Sequence, residues 1–269
     1  MKTAVQNIAP GKVIDYHGEP CLVLEHRKDG TLLLHLEQMT HAFGSTNNFA
    51  ASSLRAHLNG PYLRSLTDGN PDEVITRTVD LTALNGSTEY GTCDCKVAPL
   101  TLDELRKYHD ILPLPERFEW SVTPWSTPKV NEDDTWVMGL FSNGDIYYSG
   151  CAGTGGSRPA FTLPSSLYVS DDGSVFQNTA PSTPASISVP SSIDGGSTIT
   201  VSWGTSTDAE GNLEGYIVER QVDGGSWSQI YQGTATSTTN TVAFGTNTVA
   251  YRVKAYDAAG LESGWKTSS

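Results

Sequence analysis

Short runs in which apolar and polar residues alternate, separated by turn-forming residues, fill the last third of the chain. They are ASISVP (185–190), TITVSW (198–203), GYIVER (215–220), SWSQIYQ (226–232), NTVAF (240–244) and VAYRVKAYD (249–257). Because side chains alternate between the two faces of a β-strand, each run can bury one face and expose the other. Strands at this spacing are typical of a β sandwich, with Trp203, Tyr251 and Val253 predicted in its core and Arg252 on the opposite face.

Three segments of this region resemble fibronectin type III domains. They read ITVSW, DAEGNLEGYIVER and YRVKAYDAAGLESGW, and the resemblance covers nearly all of residues 181–269. It implies an all-β immunoglobulin-like sandwich over residues 185–269 that serves as a spacer or adhesion module and carries no active site. The DGG sequence at 223–225 is predicted to form a hairpin turn within it.

The composition changes near Asn178, which predicts a boundary between two domains. The segment NTAPSTP, residues 178–184, holds two prolines and is predicted to be a linker. All four cysteines and all six histidines of the chain precede it. The sequence therefore divides into a first domain over residues 1–177, this linker, and the sandwich over residues 185–269.

The first domain mixes helix and strand signals. A helix capped by Ser52 or Ser53 is predicted to end at Asn59, where a glycine follows. A second capped helix is predicted to run from Thr101 to about Asp110, with acidic residues in its first turn. Short strands with tight turns are predicted on both sides of these helices, and the glycine-rich GTGGS segment is predicted as a loop.

Four blocks of the first domain, taken in order, carry a resemblance to a known domain family. They are TNNFAASSLRAHLNGPYLRSL, LTLDELRKY, WSVTPW and GGSRPAFTLPSSL. Over about residues 10–170 they are similar to an uncharacterised family common in Gram-positive bacteria and their phages, a distant relative of the C-type lectins and the formylglycine-generating enzymes. The resemblance implies an α+β lectin-like fold of two short helices and antiparallel strands, whose loops form a binding face.

The hairpin block that contains the last two motifs supplies the candidate site residues. Aromatic rings beside amide and carboxylate groups suit the recognition of sugars or proteins. The candidate ligand-binding residues are Trp125, Asn131, Asp145, Tyr147 and Tyr148. Structural roles are expected for Trp120, Trp136, Arg158 and Pro159. Trp120 and Trp136 are expected in the core because Trp is usually buried. The guanidinium of Arg158 is expected to donate two hydrogen bonds to buried carbonyls or to a carboxylate.

Sequence motifs for catalysis and metal binding are missing from the chain. There is no GxSxG, no HExxH and no glycine-rich phosphate loop followed by a lysine. Cys151 stands alone near the loop where formylglycine-generating enzymes carry paired active cysteines, and the calcium-binding motifs of lectins are absent. His35 and Glu37 can share one strand face, but two groups do not make a metal site. We therefore expect no enzyme activity, no cofactor and no bound metal.

The negative net charge of the chain limits which partners it can bind. A net charge of −13 at pH 7 argues against nucleic-acid binding, because phosphate contacts need Lys and Arg. The first residues lack the apolar segment of a secretory signal, and no apolar run approaches the length of a membrane span, so no membrane insertion is expected.

These features favour a bacteriophage virion surface protein: a head or tail decoration, a fibre or an adhesion component. It would bind other virion proteins through one module and display the other, for attachment to a glycan or protein of the host cell surface. A homo-oligomer is compatible with this role. The alternatives are a bacterial cell-surface adhesin or carbohydrate-binding protein, which predicts a signal peptide and a wall anchor in the full gene, and a formylglycine-type or carbohydrate-active enzyme, which predicts a converging catalytic set.

Overall fold

The computed structural model describes residues 2–131 and 133–268, which divide into two compact units. The first unit ends at Phe176 and the second begins at Gln177. The regular secondary structure of the described residues is mostly β-sheet, with few helices. None of the helices within these residues is long and apolar enough to cross a membrane.

The strands up to the boundary are short, and several are only three or four residues long. They are β1 (Lys2–Ala4), β2 (Val13–Tyr16), β3 (Glu19–Arg27), β4 (Gly30–His35), β5 (Met39–Ala42), β6 (Arg77–Asp80), β7 (Thr92–Cys95), β8 (Val97–Ala98), β9 (Glu119–Pro124), β10 (Trp136–Leu140), β11 (Ile146–Gly150), β12 (Thr154–Ser157), β13 (Ala160–Leu163), β14 (Leu167–Ser170) and β15 (Val175–Gln177).

Two five-stranded sheets form the centre of the first unit. One has the strand order β2-β3-β4-β13-β8 and the other the order β11-β10-β9-β12-β5. The smaller groups are β1-β14-β15 and the hairpin β6-β7. Most neighbouring strands are antiparallel, but β12 meets β9 in parallel, with Gly156 opposite Glu119. The chain passes from the second large sheet to the first between β12 and β13, at Arg158 and Pro159.

Both faces of the β2-β3-β4-β13-β8 sheet are covered, which explains its continuous apolar runs. Along β4 every residue is buried. Leu33 faces a core cluster with the rings of Phe43 and Phe49, while its neighbours Leu32 and Leu34 face a second cluster. A strand covered on both faces reads as an unbroken apolar segment rather than an alternating one.

The helices of the first unit are short: α1 (Ser53–His57), α2 (Leu63–Leu66), α3 (Leu102–Lys107) and α4 (Pro128–Asn131). Ser52 caps α1, since its hydroxyl accepts from the Arg55 amide. The prediction that this helix ends at Asn59 was wrong. A π-helical turn over Leu58–Tyr62 contains Pro61 and continues α1 into α2. In this way Leu63 and Leu66 of α2 reach the core.

The GTGGS segment forms strand β12 rather than the predicted loop. A Cβ at Gly155 would lie 2.5 Å from the Trp120 ring, and one at Gly156 would lie 2.2 Å from the Gln38 side chain. These glycines are therefore required by the close approach of side chains to the strand and not by a turn.

Helix α3 is attached to the sheet through Glu104, which completes a capping box with Thr101. Its two carboxylate oxygens accept from Arg27, at 3.1 Å, and from Arg77, at 3.0 Å. Burial by itself would raise the pKa of the Glu104 carboxyl, but the charge of Arg77, the Thr101 amide and Arg27 together hold that pKa below its usual range. The carboxylate therefore stabilises the folded chain in its ionised form.

The second unit is a sandwich of a three-stranded and a four-stranded sheet. Its strands are β16 (Ile187–Ser188), β17 (Thr198–Trp203), β18 (Leu213–Val222), β19 (Ser228–Gly233), β20 (Ser237–Thr241), β21 (Val249–Asp257) and β22 (Lys266–Thr267). The strand orders are β16-β17-β20 and β19-β18-β21-β22. As predicted, Trp203, Tyr251 and Val253 are buried in its core, and the predicted turn contains Asp223 and Gly224 at positive φ.

Residues 178–184, the predicted linker, belong to the second unit, and their first residues bond to it. Asn178 is buried, and its amide donates to the Asp257 carboxylate over 2.7 Å. The Thr179 hydroxyl donates to Glu210 over 2.8 Å. The prolines keep this segment out of regular structure, but its polar side chains bond to the loops of the sandwich.

Replacing Glu104 by Gln is expected to lower the free energy of unfolding at pH 7 by about 3 kcal/mol, because the buried Arg77 loses its counter-charge, whereas Arg27 keeps its ion pair with Glu25. The folded-state pKa of Glu104 is depressed, so its contribution is present above the ordinary carboxyl pKa of about 4.3 and is lost as the pH falls below it. The difference between the two proteins should therefore shrink between pH 7 and pH 3, as measured by urea denaturation.

Asp103→Asn is the matched control, because Asp103 lies on the same helix with its side chain 91% exposed and pairs only with Arg106 in the described salt bridges. This control should change stability by less than about 0.5 kcal/mol. An equal loss in both variants, or a loss that does not depend on pH, would contradict the role assigned to Glu104.

Candidate functional site

Four aromatic side chains meet at the β10–β11 hairpin, and we call them the aromatic patch: Trp125, Trp136, Tyr147 and Tyr148. The Tyr148 ring lies at their centre. Its centroid is 5.7 Å from Trp125, 5.1 Å from Trp136 in an edge-to-face contact, and 4.4 Å from the stacked ring of Tyr147. The sequence placed three of these residues among the candidate ligand-binding residues, and the structure brings those three together.

The patch is open to solvent on one side. The Tyr147 side chain is 54% exposed and Trp136 is 37% exposed, while Trp125 and Tyr148 are partly buried against the second core cluster. The expectation that Trp136 lies in the core was wrong. Trp136 is the first residue of β10, and its ring meets the edge of the partly buried Tyr148 ring without joining either core cluster of the first unit.

Asn47 holds the backbone beneath the patch. It is buried, and its side-chain amide donates to the carbonyls of Ser126, at 2.9 Å, and Trp136, at 3.0 Å. Its side-chain oxygen accepts from the Tyr90 hydroxyl at 2.8 Å. The Trp125 amide also donates to the Trp136 carbonyl. Sequence reasoning did not single out Asn47, because an Asn in a polar segment has many ordinary roles.

The turn between β10 and β11 adds polar groups beside the rings. The Asn143 amide donates to the Asp145 carboxylate over 2.7 Å, and the Asn143 side-chain oxygen accepts from the Asp145 backbone amide. Together with Phe141, Ile146 and Tyr147 these residues line a shallow pocket of about 340 Å³. Asp145 therefore lies next to the exposed Tyr147 ring, as a site on this hairpin requires.

Asn131 is placed differently from the other candidates. It ends α4, where its side-chain oxygen accepts from the Asp133 backbone amide at 3.2 Å. Its role in the structure is to shape the loop that follows α4.

Arg158 lies buried between the two large sheets, with 3% of its surface exposed. Its guanidinium donates to the Glu119 carboxylate at 2.5 and 3.2 Å and to the Pro113 carbonyl at 2.8 Å. Burial raises the pKa of the Glu119 carboxyl, and the positive charge of Arg158 acts against that rise. Arg158 therefore bonds to both a carboxylate and a carbonyl, the two kinds of acceptor that the sequence suggested. Trp120, also given a structural role, is in the core.

The four cysteines are free thiols, and all of them are buried. Burial raises the pKa of the Cys95 thiol to about 12 and moves the pKa values of Cys21 and Cys151 upward as well. The reactive form of cysteine is the thiolate, so these thiols are unsuited to nucleophilic chemistry near neutral pH.

Three potential metal-ligating side chains converge where β3 begins and β4 ends. Glu19, His35 and Glu37 offer ligand atoms that all lie within 4.8 Å of one another. The premise that only His35 and Glu37 meet there was therefore wrong. The third group comes from the neighbouring strand, where Cys21 pairs with His35. The turn between β3 and β4 sets that register, so a hairpin alignment of the sequence was the signal that could have found Glu19.

No family model matches this chain, and neither does any curated protein. Solved structures similar to about a third of it include fibronectin type III domains. A Fn3-like protein from Clostridium thermocellum is 28% identical over 33% of this chain and 92% of its own, with a TM-score of 0.25. FN3tt is 19% identical over 33% and 90%, with a TM-score of 0.27. The twitchin kinase region from C. elegans is 24% identical over 34% of this chain and 16% of its own, with a TM-score of 0.29.

Replacing Asn47 by Ala is expected to cost about 1–3 kcal/mol in unfolding free energy, because the Ser126 carbonyl loses this buried donor and the Trp136 carbonyl keeps only the Trp125 amide. Because these bonds hold the loop under the aromatic patch, the Trp fluorescence spectrum should shift to longer wavelength before global unfolding begins. Asn131→Ala serves as control, since Asn131 is exposed. A spectrum in Asn47→Ala identical to that of the unmodified protein would contradict this role.

Proposed function

We propose that this protein is a bacteriophage virion surface protein, a head or tail decoration, a fibre or an adhesion component, and that its aromatic patch binds a glycan of the host cell surface. The observation that carries the binding role is the cluster of three rings on the β10–β11 hairpin with the Trp125 ring that follows β9, in which Tyr147 is 54% exposed beside Asn143 and Asp145. In this proposal the first unit is a lectin-like α+β domain and the second is a fibronectin type III-like spacer.

The chemistry of the patch suits a sugar. The faces of aromatic rings pack against the C–H groups of a pyranose, while amide and carboxylate groups exchange hydrogen bonds with its hydroxyls. Tyr147 and Trp136 offer the exposed ring surface, and Asn143 and Asp145 offer the polar atoms. The site is shallow and small, so each copy should bind weakly, and display of many copies on one particle would supply avidity.

The virion role rests on the sequence. The motif order of the first unit is similar to a family found in Gram-positive bacteria and their phages, and a binding unit joined to a sandwich spacer suits a particle surface. The net charge of −13 supports solubility at high local concentration. Buried thiols with raised pKa values favour a binding role over formylglycine-type chemistry.

Replacing Tyr147 by Ala is expected to weaken binding to solubilised host wall glycan at least about tenfold, equal to about 1.4 kcal/mol, because the exposed ring is lost while the core is unchanged. The measurement is a titration that follows quenching of Trp fluorescence, since Trp125 and Trp136 lie in the patch. Phe244→Ala is the matched control: Phe244 is an exposed aromatic residue of the second unit, 86% accessible, and its loss should leave binding intact.

If no wall glycan quenches the fluorescence of the unmodified protein, or if Phe244→Ala weakens binding as much as Tyr147→Ala does, the patch is not the glycan site. The virion role is tested separately, by mass spectrometry of density-banded phage particles with copy number. Stoichiometric recovery supports that role. Absence from the particles, with the protein on cells or in the medium, would replace it with the adhesin alternative.

A further inference from the structure

The side chains of Glu19, His35 and Glu37 form a compact donor set where β3 begins and β4 ends, and we call them the cation triad. Glu19 begins β3, His35 ends β4 and Glu37 follows two residues later. The Nε2 atom of His35 is 2.9 Å from the Glu19 carboxylate, and the ligand atoms of all three residues lie within 4.8 Å of one another. Side chains this close can ligate a single ion with little rearrangement.

His35 is oriented from both sides of its ring. It is buried, with 7% of its surface exposed, and its Nδ1 atom is 2.9 Å from the Tyr62 hydroxyl. Histidines that ligate metals commonly have their second nitrogen held by such a partner, which fixes the ring and its tautomer.

The proton balance permits a cation at Nε2. When the Tyr62 hydroxyl donates to Nδ1 of His35, the Nε2 atom carries the ring hydrogen and donates to the Glu19 carboxylate. When a cation binds Nε2, that proton moves to Nδ1, which then donates to the Tyr62 oxygen. No net proton is lost in this exchange, and the Glu19 carboxylate is free to ligate the ion.

The donor types and their accessibility select the kind of ion. One imidazole nitrogen and two carboxylates suit a divalent transition metal such as Zn²⁺, whereas Ca²⁺ and Mg²⁺ prefer oxygen ligands alone. The carboxylates bring two negative charges, which compensate the charge of the ion. Glu37 is exposed and also lines an open pocket of about 460 Å³ with Gln38 and Glu116. The triad is therefore reachable from solvent.

From these observations we propose that Glu19, His35 and Glu37 bind one divalent transition-metal ion, with Zn²⁺ preferred over Mn²⁺, Ca²⁺ and Mg²⁺. Three protein ligands leave at least one coordination position for water. This site involves none of the residues of the aromatic patch, so the proposal stands or falls independently of glycan binding.

The test is isothermal titration calorimetry of the metal-free protein, in separate titrations with ZnCl₂, MnCl₂, CaCl₂ and MgCl₂. One equivalent of Zn²⁺ is expected to bind, and Glu37→Gln should weaken that binding at least about tenfold because a ligand charge is lost. Glu37 is exposed, so this variant should keep its fold, as far-ultraviolet circular dichroism in EDTA will check. Glu19→Gln provides a second ligand variant, with the same weakening expected.

Two control variants address other histidines of the first unit. His17→Gln removes a histidine whose Nε2 lies 2.8 Å from Glu73, a pair of the same geometry but outside the triad. His57→Gln breaks up the stacked pair of His41 and His57, whose ring centroids are 4.8 Å apart. Both controls should bind Zn²⁺ as tightly as the unmodified protein.

Substitution with Co²⁺ supplies a readout at the metal itself, since visible absorption bands report nitrogen and oxygen ligation. The bands of the Co²⁺-loaded protein should be lost in Glu37→Gln and retained in His17→Gln. The proposal is overturned if no stoichiometric Zn²⁺ binds, if Glu19→Gln and Glu37→Gln bind it unchanged, or if His57→Gln abolishes binding.

Discussion

The guanidinium of Arg158 and the carboxylate of Glu119 meet out of water at the point where the chain leaves one five-stranded sheet and enters the other. Two charges buried this deeply are stabilising only when each is fully bonded. Here the guanidinium donates to both carboxylate oxygens and to the Pro113 carbonyl, and the Gln38 amide adds a longer contact to Glu119. Removing one partner from such a pair typically costs about 3–5 kcal/mol, because the other charge is left without compensation.

The backbone connects this ion pair to both candidate sites. Strand β9 begins at Glu119 and leads directly to Trp125 of the aromatic patch. On the other side, the carbonyl of Pro159, the residue after Arg158, accepts from the backbone amide of His35 and so fixes the end of β4 in the cation triad. The positions of the exposed groups in each site therefore depend on a buried polar contact that belongs to neither site.

Local signals in the sequence were sufficient for much of the fold. Alternation along the last third gave the sandwich and its buried Tyr251, and the capping box at Thr101 gave α3. What failed depended on contacts between distant segments. The glycine-rich segment of β12 was predicted as a loop because its sequence does not show that the Trp120 ring lies against Gly155. Trp136 was predicted in the core because its sequence does not show that the first residue of β10 stays exposed. The cation triad was missed for the same reason, since Glu19 reaches His35 only across a strand pair.

In both candidate sites, exposed groups that could contact a ligand lie next to residues held by the hydrogen bonds of less exposed polar side chains. Tyr147 stacks on Tyr148, whose ring contacts Trp136, and Asn47 bonds to the Trp136 carbonyl. Glu37 belongs to the same triad as His35, whose ring bonds to the Tyr62 hydroxyl. A buried polar group without its partner is costly, so these polar side chains tolerate little change, while the exposed groups can vary with small effects on stability. Binding specificity at either site can therefore be altered through its exposed residues, whereas a change in Asn47, Tyr62 or Glu119 would disturb binding through the fold.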